Sequence, residues 1–151
     1  MQNSTLTWLV VGVVLAYLLL GDSIMSIGES MLDKWAEAIK RFEGWSTTSL
    51  SFRNNNPGNI RPSPQPWQGQ VGIDSHNFVV FDSYENGMRA LKISLQNAAN
   101  GHSSVYKSSD TLYDFFGRYA PSSDNNEPRK YAEYVAAQLG VEPTTQISQL
   151  V

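Results

Sequence analysis

Between Ser30 and Val151, apolar residues recur at helical spacing in four separate stretches, and the chain between those stretches is polar. In the first, Leu32, Trp35, Ala36, Ile39 and Phe42 follow at steps of three and four, which predicts an amphipathic helix with one apolar stripe. Gly44 is its natural stop, because glycine tolerates the left-handed conformation in which helices commonly end. "DSYENGMRALKISLQNAAN" predicts a second helix, capped by Asp82 or Ser83, with Tyr84, Met88, Leu91 and Leu95 turned inward. "SSDTLYDFFGRYAP" predicts a third, with Leu112, Phe115, Phe116 and Tyr119 inward and Pro121 after its end. "NNEPRKYAEYVAAQLGV" predicts a fourth, with Pro128 in its first turn and Gly140 closing it, and a short turn is expected from Thr145. From Trp45 to Ser83 no helical period appears. Ser, Asn, Pro and Gly mark that interval as loop, apart from "NFVVF" (Asn77 to Phe81), a strand able to pair with residues near Val71. The expected fold class is mainly α with a minor β-hairpin.

The opening segment departs from this pattern. "MQNSTLTWLVVGVVLAYLLLGDS" is apolar all round and carries no charged side chain before Asp22. As a helix, Thr5 to Leu20 would reach ~24 Å, and the uncharged flanks extend that towards the ~30 Å of a hydrocarbon core. Trp8 and Tyr17 lie near its ends, where interfacial aromatics are favoured. A cleaved signal peptide needs a positive first region and a small-residue cleavage site, and this segment has no Lys or Arg. The expected organisation is a transmembrane anchor over residues 1–21, a connector over 22–29 and a folded domain over 30–151. That makes the chain a single-pass membrane protein contacting lipid through residues 5–20.

Composition narrows the function. The net charge is −3 with no run of Lys and Arg, so the electrostatic footprint of a nucleic-acid binder is missing and no nucleic-acid partner is expected. The chain has no cysteine, which excludes disulfides, zinc–thiolate sites and cysteine nucleophiles. His76 and His102 stand far apart and in no ligand spacing, so neither a metal site nor a cofactor is expected.

The candidate chemistry centres on Glu43. It falls at the end of the first helix on the apolar face, and no further Asp or Glu appears until Asp74. Burial on that face and the partial negative charge at a helix C-terminus both raise a carboxyl pKa, as a general acid at neutral pH requires. The loop that follows, "NNNPGNIRP", offers amides suited to the hydroxyl and N-acetyl groups of a sugar polymer, although asparagines also serve turns. Ordinary glycosidases use two carboxyl groups. A single one suffices when the substrate supplies its own nucleophile, as muramic acid does by closing a 1,6-anhydro ring. Asp74 or Asp82, brought near by folding, would instead allow hydrolysis. Trp67 in "SPQPWQGQ" reads equally as a sugar-stacking platform at a groove rim and as a lid on the core.

Several stretches resemble known families. "IKRFEGW" resembles the helix carrying the catalytic glutamate of phage-type lysozymes, and "NNNPGNIR" resembles the loop of lytic transglycosylases and flagellar-type muramidases. "FVVFDSYENGMRAL" is similar to the opening of the next helix in those groups, and "PRKYAEYV" to their late helix with a cleft-facing tyrosine. Two departures stand out: Gly58-Asn59-Ile60-Arg61 replaces a Gly-Leu-Met-Gln tetrapeptide, and no acid occupies the second-carboxylate place of the phage lysozymes. The resemblance implies a lysozyme-like fold cutting the β-1,4 bond between N-acetylmuramic acid and N-acetylglucosamine. It implies Glu43 as the acid, with Asn55, Asn56, Asn59, Arg61, Tyr119 and Tyr131 lining the groove. The implied partners are peptidoglycan glycan strands and other virion membrane or capsid proteins, with the chain in a virion membrane or in a bacterial inner membrane facing the periplasm. A non-catalytic peptidoglycan-binding relative and a holin-like or spanin-like accessory are the rival expectations.

Overall fold

The computed structural model describes residues 29–124 and 126–151. The expected anchor over residues 1–21 lies outside them, and among the described residues no helix is long and apolar enough to cross a membrane. The described elements are α1 (Met31–Phe42), α2 (Leu50–Arg53), β1 (Gln70–Ile73), β2 (Val79–Phe81), α3 (Tyr84–Ala99), α4 (Leu112–Tyr119) and α5 (Pro128–Leu139). Two 3-10 turns, Ser122–Asp124 and Ile147–Gln149, complete them. The domain is mainly helical with one small antiparallel hairpin, as the periodicity predicts.

Each long helix forms where its stripe predicts and buries most of that stripe, with Leu32, Tyr84 and Tyr119 half-buried and Phe42 exposed. α1 packs against α3 and α5, and α4 against α5. Trp35, Ile39, Leu91, Phe115, Phe116 and Val135 are all buried where these helices meet. Removing such side chains from water is the main stabilising term, at roughly 1.5–3 kcal/mol for each large apolar one. Aromatic edges interlock the packing: Trp35 and Phe115 meet at 5.1 Å between ring centres, and Phe115 and Phe116 at 5.0 Å, both edge-to-face. Ser83 caps α3 by accepting from the Asn86 N–H, and Thr111 with Asp114 forms a reciprocal capping box on α4. The C-terminal residues close the base, with Ile147 and Leu150 fully buried and the Ile147 N–H donating to the Asp110 carbonyl.

The interval read as loop is more organised than its composition suggests. It contains the short α2, which lacks the length for a helical period to be read. β1 and β2 pair antiparallel, with Gly72 opposite Val80 and a bulge between Gln70 and Gly72. The far edge of β2 is bonded by the asparagine loop itself, since the Phe81 N–H donates to Asn54 and the Val79 N–H to Ile60, each at 2.9 Å. Asn55 and Asn59 take left-handed backbone angles (φ 50° and 49°), a region asparagine tolerates better than most residues. The loop lies so close to α3 that a Cβ on Gly87 would fall 1.8 Å from the Asn55 carbonyl oxygen. Only glycine fits there.

Candidate active site

Glu43 is placed by the way α1 ends. The Trp45 N–H donates to the Lys40 carbonyl and the Gly44 N–H to Arg41, with Gly44 at φ 69°, which is a Schellman closure. The chain thus turns away immediately after Glu43, leaving its side chain on the buried side of the helix end. Both carboxylate oxygens are engaged. The Tyr131 hydroxyl donates to Oε1 at 2.8 Å, and the Asn59 side-chain amide donates to Oε2 at 2.6 Å. Burial pushes the Glu43 carboxyl above its ordinary value, and the hydrogen bonds from Tyr131 and Asn59 offset only part of that effect.

The two donors are themselves fixed. Tyr131 stands in the first turn of α5 with its ring sandwiched between Phe42 (3.8 Å between centres) and Phe116 (4.3 Å), both nearly parallel to it. Phe42, expected inside, keeps one face in water while the other covers Tyr131. Asn59 follows Gly58, whose carbonyl accepts from the Tyr119 hydroxyl at 2.5 Å, so α4 holds the loop at that point. Burial raises the Tyr119 and Tyr131 hydroxyls well above their ordinary range, and the nearby Glu43 charge adds to this, so both are donors at neutral pH.

Beside Glu43 opens a cleft of about 640 Å³. Glu43, Asn59, Trp67, Phe78, Tyr106 and Tyr119 are among its walls, together with Arg61 and Arg118. Glu43 is the one acidic side chain facing it among the described residues. Asp74 is occupied elsewhere: its carboxylate accepts from the His76 and Phe78 N–H groups and from the Asn54 amide. Asp82 accepts from Ser83 and Asn86 at the start of α3. Neither lines the cleft. Among the described residues no group of three or more His, Asp or Glu converges as a metal-ligand set.

Of the residues singled out from sequence, Glu43, Asn59, Arg61 and Tyr119 line the cleft, while Tyr131 is buried behind Glu43 and meets it through its hydroxyl without lining the cleft. Two amides sit elsewhere. Asn56 is fully buried, donating to the Ile60 and Val79 carbonyls while its own carbonyl accepts from the Ile60 N–H. Asn55 donates to the Phe81 carbonyl. These two hold the loop to β2 instead of facing the cleft, because a non-strand segment bonded to a strand needs side-chain partners for its unpaired backbone. Trp67 lines the cleft, packs on the core and donates from its indole N–H to the Arg61 carbonyl.

Comparison with protein-family models, curated proteins and solved structures found no match. The site is therefore read from its own geometry. Sequence reasoning missed Phe78, Tyr106 and Arg118 as cleft walls. Arg118 and Tyr119 are adjacent on α4, so the tyrosine marked its neighbour. Phe78 and Tyr106 carry no comparable signal.

Proposed function

We propose that this chain is a membrane-anchored peptidoglycan lytic transglycosylase with a lysozyme-like α+β domain. On this reading it cleaves the β-1,4 bond between N-acetylmuramic acid and N-acetylglucosamine and leaves a 1,6-anhydro product. The observation that carries the reading is a half-buried carboxyl, held by two neutral donors, on the wall of an aromatic-lined cleft that no second carboxylate faces among the described residues. A carboxyl whose proton is held to higher pH serves as a general acid near neutrality. Glu43 protonates the glycosidic oxygen as the C1–O bond breaks and becomes a carboxylate, which Asn59 and Tyr131 stabilise through their hydrogen bonds. The same carboxylate then accepts the proton of the muramoyl C6 hydroxyl as that oxygen bonds to C1. The acid is restored and no water is consumed. Aromatic walls suit the apolar faces of pyranose rings, and the raised tyrosine hydroxyls do not compete for the transferred proton. Anchored in a virion membrane or a bacterial inner membrane, such an enzyme opens the wall locally during phage entry or lysis.

The test is digestion of purified peptidoglycan by the full-length chain and by Glu43→Gln, with mass spectrometry of the released sugars. Products one water lighter than reducing ends, absent with the variant, support the reading. Reducing ends would establish a hydrolytic muramidase instead. Strand binding without release by the wild type would establish a binding protein.

A further inference from the structure

The cleft is unbalanced in charge. Glu43 is its one acidic wall residue among the described residues, while Arg61, Arg118 and His76 also face it. Arg118 is neutralised by an ion pair with Asp110. Arg61 has no carboxylate partner among the described residues. Its guanidinium is exposed and lies 4.8 Å from the centre of the Phe78 ring, with Nη1 donating to the His76 carbonyl at 3.4 Å. The turn holding His76 and Phe78 is rigid in its own right, since Asp74 accepts from both their N–H groups and from Asn54. A guanidinium that lies over an aromatic ring and gives one N–H to a carbonyl has further donors to offer, and its planar fork matches a carboxylate. Arg61 follows Asn59 by two residues, so their Cα atoms are at most about 7 Å apart, and Asn59 touches Glu43.

We propose that the Arg61 end of the cleft is a carboxylate subsite, so that the occupant is an anionic glycan read close to the reacting bond. The inference rests on the peptidoglycan reading for its source of carboxylate, which is either the lactyl group of muramic acid or the stem peptide attached to it. In strands bearing peptides the lactyl carboxyl is amide-linked and neutral, and the charge lies on the peptide. In stripped strands the lactyl carboxylate is itself ionised.

The test measures binding calorimetrically with the full-length chain carrying Glu43→Gln, so that strands are not consumed. Three probes of equal length are compared: a neutral chitin oligosaccharide, a peptide-stripped glycan strand and a peptide-bearing strand. Adding Arg61→Gln should weaken a carboxylate-bearing strand about tenfold at low salt, as loss of one charge-assisted hydrogen bond predicts. The neutral oligosaccharide should change less than about twofold, and added salt should shrink the tenfold loss. The strand that responds identifies the source of the carboxylate. Arg61→Lys, which keeps charge and stem, should retain part of the affinity. An equal loss on the neutral probe in both variants, or no loss on any probe, overturns the inference. Cleavage of peptidoglycan with Arg61-independent binding would leave the transglycosylase reading standing without the subsite. A selective loss in a chain that cuts nothing would keep the subsite and remove the enzyme.

Discussion

The domain is held together by two different means on its two sides. The helical side is an apolar core in which Trp35, Phe115 and Phe116 interlock and hardly a polar atom intervenes. On the side made of the asparagine loop and hairpin, Val79 and Phe81 form a second small apolar cluster with Ala90 of α3, and Ile60 alone of the loop joins the main core. The order of that side comes from amide hydrogen bonds, above all those of Asn56. Glu43 stands at the seam, taking one donor from the helical side and one from the loop. Burial is tolerant of small displacements, whereas hydrogen bonds demand geometry. The contrast teaches why the donor set is mixed: the helices supply a rigid platform, and the loop supplies an exact amide position.

The largest effects should come from removing one keystone on each side. Phe116→Ala is expected to cost about 3–5 kcal/mol of global stability through the cavity it leaves. Asn56→Ala takes the side-chain partner from the Val79 carbonyl and the Ile60 N–H, while the Ile60 carbonyl keeps the Val79 N–H, and at about 1–3 kcal/mol for each lost partner it should cost about 2 kcal/mol or more. Hydrogen exchange separates the two: Asn56→Ala should lose protection at Ile60 and Val79 while Ile39 and Val135 keep theirs. Uniform loss in both variants would erase the distinction between the sides. Next in size is Gly87→Ala, whose Cβ collides with the Asn55 carbonyl. It should cost about 1–3 kcal/mol in urea unfolding and, on the proposed reading, depress cleavage by moving Asn59.

How much of this was legible in the sequence follows the same division. α1, α3, α4 and α5 were readable because a stripe such as Leu32, Trp35, Ile39 is set by local spacing and by burial. The loop was read by composition alone. Asn55, Asn56 and Asn59 look alike in a sequence, yet one holds β2, one is buried and one touches Glu43. What distinguishes them is the partner, and the partners of Asn55 and Asn56 include β2, more than 20 residues away. Glu43 was found because its isolation from other acids and its place on an apolar face are both local. Its partnership with Tyr131, 88 positions later, had no local trace.

Two smaller effects sharpen the picture at the seam. Tyr131→Phe keeps the ring between Phe42 and Phe116 and removes only the hydroxyl, so stability should hardly change; on the proposed reading cleavage falls roughly tenfold, the loss of about one hydrogen bond in the transition state. Because that hydroxyl lowers the Glu43 pKa, an NMR titration of the variant should move Glu43 further up. The smallest effect concerns pH. A carboxyl held above its ordinary value binds more protons in the folded than in the unfolded chain. Its contribution to stability is complete below the unfolded value and is lost as pH rises through the folded one. Glu43→Gln lacks this loss, so its melting temperature should climb relative to wild type from about pH 4 upward. A constant offset at all pH values would mean that the carboxyl is not perturbed.

The distance along the chain between Glu43 and Tyr131 bears on when the molecule becomes active. A ribosome delivers Glu43 88 residues before Tyr131, and Ile147 and Leu150 follow later to seal the base. Any chain interrupted before the last helix carries the acid without its tyrosine partner or its aromatic sandwich. On the proposed reading, wall-cutting chemistry is therefore withheld until α5 has been made and has packed against α1.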